Sequence, residues 1–476
     1  MRNAIVVLNV EDPFLSSAPG LPRVVDEAYR WYREGKPVIV VLTAPKGAAI
    51  DGAQQPCEDL AALFDRDGIP ATTARCSGRP CYPEILRALE RFPVVILQGL
   101  EAAAASDLAP CLTEESGAAF AQLNLVGPQI DANSGSEQEG GGRLAGGRLA
   151  GEKLKIGLLG LGVVGRGVYQ SLSSYPERFE ITGIAVRDVD RPERLPLRHL
   201  LSRDPWSVVN GDADVVIELI GGHDPAYDLI AGALRRGKHV VTANKLVLSQ
   251  EGEELLGLVS QHHGSLHYAA AVGGAVPMLE AVRSLRRIGR IESLQGVLNG
   301  TCNFVLDELA QGRAFPEAVE RAQTLGFAEA DPTLDLDGTD TAHKLTLLAR
   351  AACGAELKIE NVDRQGILEL DSERVYSLAA SGKAVRLVAS LADGPAGWQA
   401  RVAPQVVDGS HPFARLRGEQ NCLIARHADG REQVLRGKGA GRWPTTVSVM
   451  SDVLALGRTP LLQPTLVEFC NREGAA

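Results

Sequence analysis

No two cysteines stand at CxxC spacing, and no cysteine–histidine cluster has the spacing of zinc ligands. The eight cysteines lie scattered, which argues against a disulfide framework or a zinc module and suits thiols kept reduced in the cytoplasm. No run approaches the ~18 apolar residues of a membrane span. The opening MRNAIVVLNVEDPF breaks its short apolar stretch with acids, so no secretory leader is expected. Basic charge is also in deficit. The 49 Lys and Arg against 59 Asp and Glu give −10, which argues against general binding to nucleic acid or an anionic membrane. Hydrophobic content of 45% and charged content of 23% are ordinary for a globular protein. The 476 residues leave room for roughly two to four domains.

What the sequence does concentrate is acid. Gly326 to Lys344 reads GFAEADPTLDLDGTDTAHK and gathers Glu329, Asp331, Asp335, Asp337 and Asp340. Neighbouring carboxylates repel and raise one another's pKa, so such density calls for a reason. Pro332 and Gly338 suit a loop, and Thr339 or Asp340 is expected to cap the helix that follows. Asp340 and Lys344 share one face of that helix, and the stretch LTLLARAAC after Lys344 is apolar almost all round, which implies burial. A calcium loop fails on register: with Asp335, Asp337 and Gly338 in the third, fifth and sixth places, the final glutamate would be Lys344. Two readings stay open. One is a solvated acidic loop. The other is a site for a small zwitterion, in which carboxylates hold an ammonium group while an amine beside Asp340 handles a proton.

Residues 153 onward begin a second pattern. KIGLLGLGVVGRGVYQSL reads as a buried strand, then Gly160-Leu161-Gly162-Val163-Val164-Gly165, then a helix. In that setting the first glycine permits the tight turn, the second admits a pyrophosphate, and the third lets helix approach strand. The phosphates then meet the helix N-terminus, so a dinucleotide is expected here. The next strand, Ile181 to Val186, ends in Arg187-Asp188. The arginine suits a 2′-phosphate and favours NADP, whereas Asp188 leaves NAD open; an ordinary surface charge is the plain alternative for Arg187. Asp214 to Gly222 is a further strand, Pro225 to Arg236 a helix, and His239 to Lys245 a strand with Lys245 at its carboxyl end. Ligands lie outside those ends in open α/β sheets, so Lys245 is placed to meet substrate unless it is a solvated surface group.

Ser265 to Val272 is strand-like, and Gly273 to Pro277 turns into a helix running through Arg286. Ile291 to Leu298 is a strand leading into Asn299-Gly300-Thr301-Cys302-Asn303, and Pro316 to Leu325 is helical. Gly437 to Arg442 is a second glycine-rich loop before a helix, either closing on the cofactor or forming a surface turn.

The first 130 residues read as a small α/β unit with strands at Ile5–Leu8, Val38–Leu42 and Val94–Leu97. Helical patterns lie at Val24–Arg33, Ala61–Phe64 and Pro83–Arg91. LSSAPGLPRVVDEAYRWYREGKPVIVVLTA and FPVVILQGLEAAAASDLAPCL resemble parts of the amino-acid kinase fold of aspartate kinases. The phosphate-binding lysine and glycines of that family are replaced by Asn9-Val10-Glu11-Asp12 and by alanines around Ser106 and Asp107, so a non-catalytic remnant is expected. Asn133 to Glu152 repeats GRLAG and has the composition of a flexible linker.

GLGVVG, VTANK, AAVGGAVP, NGTCNF, the acidic segment and GKGAGRWPT occur in that order over some 320 residues and together resemble homoserine dehydrogenases. The resemblance implies an α/β fold: a Rossmann domain (153–285), a mixed-sheet substrate and dimerisation domain (286–435), and a C-terminal loop and helix (436–476) returning to the cofactor domain. These follow the kinase-like segment (1–132) and linker (133–152). It implies NAD(P)-dependent interconversion of L-homoserine and L-aspartate 4-semialdehyde, a step towards threonine, methionine and isoleucine, and a homodimer or higher homo-oligomer. Lys344 becomes the proton donor and Lys245 the second lysine. Glu329, Asp340 and Asp335 would hold substrate, while Gly326, Glu329, Gly439 and Lys245 would touch the cofactor. Two amines in one low-dielectric site should lower each other's pKa.

The resemblance has departures. Ala269 stands where the family often carries a glutamate that helps bind sodium or a similar monovalent cation, and Ala275 replaces a glycine. Backbone carbonyls of Val272, Gly274 and Val276 would be left to hold such an ion with fewer ligands. No small βαββαβ regulatory domain is expected. A Rossmann reductase of another small aldehyde or oxo acid, and a non-catalytic cofactor-binding sensor, are the alternatives.

Overall fold

The computed structural model describes residues 153–354, 357–394 and 397–456. Among the N-terminal residues it describes 5–10, 20–33, 36–43, 54–67, 69–75, 85, 88–89, 94–100, 108 and 120–125, and near the C-terminus 465–466. The chain divides into two compact units, residues 1–152 with 457–476, and residues 153–456. Among the described residues no helix is long and apolar enough to cross a membrane.

The first unit holds β1 (Ile5–Val10), α1 (Gly20–Arg33), β2 (Val38–Thr43), α2 (Gln54–Asp67), β3 (Ala71–Arg75), β4 (Val94–Leu100) and β5 (Phe120–Leu125). Their β-branched runs stack as parallel strands around a core of Val7, Ile39, Val41, Val95 and Leu97. Glu11, Asp12, Ser106, Asp107 and the segment 133–152 lie outside the described residues.

In the second unit, β6 (Leu154–Leu159), α3 (Val163–Ser173), β7 (Phe179–Ala185), β8 (Leu201–Ser202), α4 (Pro205–Asn210), β9 (Val215–Glu218), α5 (Ala226–Arg235), β10 (His239–Thr242), α6 (Lys245–Gln261) and β11 (Leu266–His267) form a parallel sheet. Its order is β11-β10-β9-β6-β7-β8. The chain winds outward in opposite directions from β6, so the strand order reverses between β6 and β9, the crevice where such sheets bind ligands. Both faces are covered, which explains why the strands are apolar without alternation. Val216 and Val240 pack under Leu229, Ile230, Val247 and Leu255 of α5 and α6. Val215, Ile217 and Val241 face Val168 and Leu172 of α3.

The remainder runs α7 (Met278–Ile288), β12 (Ile291–Val297), α8 (Gly300–Leu309), α9 (Phe315–Thr324), α10 (Thr333–Leu336), α11 (Thr339–Cys353), β13 (Val362–Arg364), α12 (Ser372–Ala380), β14 (Lys383–Gly394), β15 (Gly397–Asp408), β16 (Gln420–His427), β17 (Glu432–Lys438) and α13 (Arg442–Leu456). The strands make a mixed sheet, β13-β15-β14-β12-β16-β17. Val282, Leu294, Val305, Leu345, Leu348 and Leu387 knit α7, α8, α11 and the sheet into one core. Helix α13 joins the core beside α3 through Val449, Met450 and Val453, each fully buried and each worth about 1.5–3 kcal/mol of burial.

Three local expectations are corrected. The strand through Lys245 stops at Thr242, because Asn244 caps α6 by accepting from Val247 N at 3.2 Å, and Lys245 opens the helix. The strand expected to run to Val272 keeps only Leu266 and His267, which pair with Val240 and Val241 of the short β10; Ala269–Ala271 is a 3-10 turn. Neither Thr339 nor Asp340 caps α11. Gly338 does so in the left-handed region at φ +82°, while Asp337 accepts from Thr339 N at 2.8 Å.

Candidate active site

Helix α11 places Asp340 in its first turn and Lys344 one turn later, and both side chains are buried. Lys344 Nζ lies 2.7 Å from Asp340 Oδ2 and donates to the Leu298 carbonyl at 2.6 Å. Lys245, at the start of α6, reaches the other carboxylate oxygen at 2.9 Å and is the more exposed amine, with its side chain 40% accessible. Lys344, Asp340 and Lys245 thus form a cation–anion–cation triad across two elements. Burial pushes the Asp340 carboxyl up, but the ammonium groups of Lys344 and then Lys245 outweigh it and hold the group well below the usual carboxylate range.

The expectation of mutually depressed amines fails at Lys245. The Asp340 carboxylate stands between the two cations and raises the Lys245 pKa, against a smaller opposing effect of burial. Opposite charge at contact outweighs like charge further off.

Asn299 completes the arrangement. Its Oδ1 caps α8 by accepting from Cys302 N at 2.8 Å. Its Nδ2 donates to Asp335 Oδ1 at 2.6 Å and to Asp340 Oδ2 at 2.9 Å. One amide therefore bridges two carboxylates, and burial followed by the nearby Asp340 charge pushes Asp335 up. Asn421 Nδ2 also donates to Leu298 O, at 3.1 Å. Glu329 is exposed and bears on Lys245 through its charge. Gly326 lies exposed after α9, its N–H bonded to Gln323 O at 3.1 Å.

The glycine turn fits a dinucleotide. Gly160 sits at φ +103°, and a Cβ there would lie 2.8 Å from Leu219 O, so only glycine suits this turn. A Cβ on Gly165 would collide with Gly160 O, whereas one on Gly162 would meet nothing within 4 Å. Gly162 begins α3 with no side-chain cap, which leaves backbone N–H groups for phosphate oxygens. Val163 is 61% exposed, while Val164 packs against the core. Arg187 is exposed just past the end of β7. Asp188 beside it pairs with Arg191 Nε at 3.5 Å.

Gly439 and the Gly273–Pro277 turn meet directly. A Cβ on Gly274 would lie 2.8 Å from the Gly439 carbonyl, and Ala275 N donates to Lys438 O at 3.3 Å. Val272 and Val276 are 1% exposed, and Val276 O already accepts from Met278 N at 2.7 Å. Asp452 Oδ2 accepts from Ala269 N at 3.1 Å. Among the described residues no group of three or more His, Cys, Asp or Glu could hold a metal ion.

Sequence reasoning assigned no role to the Asn299 amide, to Asn421, or to a buried cluster of Glu218, Thr242 and Asn244. Asparagine is a favoured cap residue, a signal at Asn244 and Asn299 that the sequence reading did not use; the rest required the fold.

Two family models match: homoserine dehydrogenase over residues 277–454 and the homoserine dehydrogenase NAD binding domain over residues 160–269. The chain is 35% identical over 312 residues to the homoserine dehydrogenase of Synechocystis, covering 62% of this chain and 72% of that one. To that of Pseudomonas aeruginosa it is 36% identical over 256 residues, 54% of this chain and 59% of the relative. Among solved structures, the homoserine dehydrogenase from Thiobacillus denitrificans aligns with a TM-score of 0.62 at 35% identity, covering 64% of this chain and 74% of that one. With a nicotinamide-dinucleotide domain joined to this mixed-sheet domain, the chain belongs to the homoserine dehydrogenase family.

Proposed function

We propose that the chain reversibly reduces L-aspartate 4-semialdehyde to L-homoserine, with Lys344 as proton donor to the aldehyde oxygen. A nicotinamide bound at the glycine turn supplies or accepts the hydride. Reduction builds negative charge on that oxygen, and a cation carrying a proton is what stabilises it. Lys344 is the more deeply buried of the two amines, where its charge is least screened. Lys245, more open to solvent, orients the reacting end. Asp340 holds both ammonium groups in place, and Asp335, Asp340 and Glu329 engage the substrate's own ammonium group. The observation that carries this reading is the Lys245–Asp340–Lys344 triad.

Lys344→Ala tests it. General-acid loss predicts a fall in kcat of about 100- to 10,000-fold in NADPH-dependent reduction of aspartate semialdehyde. Unchanged turnover would remove Lys344 from the mechanism, and equal activity on unrelated small aldehydes would favour a different reductase.

Finer points belong to the same proposal. Arg187 favours NADP over NAD, Gly326 and Gly439 border the cofactor, and the working form is a homodimer in the cytoplasm. The division of labour follows residues 153–285, 286–435 and 436–476. Carbonyls of Val272, Gly274 and Val276 form at most a weak monovalent-cation site. The first 132 residues are a non-catalytic, kinase-like module, supported by Glu11 and Asp12, which would repel phosphate.

A further inference from the structure

Glu218 ends β9 with no accessible surface, yet it has no part in the chemistry above. A carboxylate buried so deeply is costly unless it is hydrogen-bonded, and three donors converge on it. Oε1 accepts from Ile220 N at 2.8 Å and Gly221 N at 3.1 Å, and Oε2 accepts from the Thr242 hydroxyl at 2.6 Å. The first two bonds curl the loop after β9, and Leu219 O in that loop lies against Gly160 of the glycine turn.

The third bond crosses to the neighbouring strand, where Thr242 is the register partner of Glu218. Thr242 Oγ1 in turn accepts from Asn244 N at 2.9 Å. Asn244 reaches back to the first loop by donating Nδ2 to Gly222 O at 2.7 Å, and its Oδ1 caps α6. The first residue of α6 is Lys245, whose Nζ meets Asp340.

We propose that Glu218 is a positioning residue which, through Thr242 and Asn244, fixes the loop beside the glycine turn and the start of the Lys245 helix as one piece. The proposal rests on the functional reading above. Bound cofactor and Lys245, which orients the reacting end of the substrate, are set from opposite ends of this network, so slack in it displaces one against the other. The chemistry demands these residue types. A glutamine at 218 would turn an NH2 group toward a donor, and a valine at 242 would keep the shape of threonine while losing a hydroxyl that both donates and accepts. Serine would retain that hydroxyl.

The test compares full-length wild type, Glu218→Gln, Thr242→Val and Thr242→Ser. The readouts are steady-state reduction of aspartate semialdehyde, fluorescence titration with NADPH, and thermal melting. A displacement near 1 Å costs about 100-fold in rate, so kcat in Thr242→Val and Glu218→Gln should fall on that order while KM for the aldehyde changes little. NADPH binding should weaken, Thr242→Ser should restore most of the rate, and Thr242→Val should melt roughly 2–10 °C below wild type, the cost of leaving one buried carboxylate oxygen unpaired. Wild-type rates in Thr242→Val would overturn the proposal. So would parallel loss of rate and melting temperature in both Thr242 variants, which marks a purely structural support. If Glu218→Gln does not fold, Thr242→Val decides. Absence of turnover in wild type would defeat the functional reading instead. The NADPH titration then decides this one, and unchanged affinity in Thr242→Val overturns it.

Discussion

Asp340→Asn removes one negative charge while nearly preserving shape. In the native chain this carboxylate, 6% exposed, accepts from Lys344 at 2.7 Å and Lys245 at 2.9 Å. After the change the Lys344 ammonium, 8% exposed, retains the Leu298 carbonyl at 2.6 Å but loses the charge of Asp340. Removing one partner of a buried pair costs about 3–5 kcal/mol. Lys245, whose side chain is 40% exposed, is screened by solvent and adds less than about 1 kcal/mol. At roughly 2–4 °C per kcal/mol for domains of comparable size, the melting temperature should fall by about 6–24 °C. Calorimetry at pH 7 measures this. Adding Lys344→Met to Asp340→Asn removes the orphaned charge and should recover part of the loss, with a coupling of about 0.5–3 kcal/mol. A single variant melting within about 2 °C of wild type, or a double variant with no recovery, would show that solvent screens the triad and that the burial argument is wrong.

Other outcomes follow from the same geometry. The Asp340 carboxyl is held below its unfolded value of about 3.9, so its contribution to stability is complete above that pH and is lost as pH falls through the lower folded value. Lys245 is raised, so its contribution holds below its unfolded value near 10.4 and is lost as pH climbs through the higher folded value; melting against pH should show both edges. Asp335 is pushed up by burial and by Asp340, so Asp335→Asn, which keeps an acceptor for Asn299, should melt at or above wild type while KM for the aldehyde rises. Gly162→Ala, with nothing within 4 Å of the added methyl, should leave melting unchanged and weaken NADPH binding, whereas Gly165→Ala should lower both. Arg187→Ala should raise KM for NADPH by about 10- to 100-fold, the worth of one charged hydrogen bond, and leave NADH nearly untouched.

Features set by short-range spacing were legible before the fold. The glycines at 160, 162 and 165 are dictated by how closely one turn, one helix and one strand approach, and the steric surroundings of Gly160 and Gly165 bear this out. Asp340 and Lys344 meet because four residues make one helical turn. The contact between Lys245 and Asp340 joins two distant stretches, and no local pattern encodes it; only the resemblance brought those residues together. Glu218 was illegible for a different reason. Inside DVVIELIGG it reads as the polar end of an apolar strand, and its role exists only because β10 lies beside β9 in register.

The error about the amines has the same origin. Two lysines in one site suggested mutual repulsion, but the sign of a pKa shift depends on what stands between the charges, which spacing along the chain does not reveal. The structure puts Asp340 there, and that changes the chemical argument. The Asp340 carboxylate touches both ammonium groups, and at Lys245 it strengthens the charged form rather than leaving the amine weakened by its neighbour. If Lys344 is the proton donor proposed above, the incoming substrate has to redistribute the triad. In that mechanism, its own ammonium group would compete for Asp340 and Asp335, loosening the hold on Lys344 when an aldehyde oxygen is present to accept the proton. A buried ion triad adds little to stability that apolar side chains could not supply. Its value under this reading lies in withholding the proton until a zwitterionic aldehyde displaces the anion's existing partners.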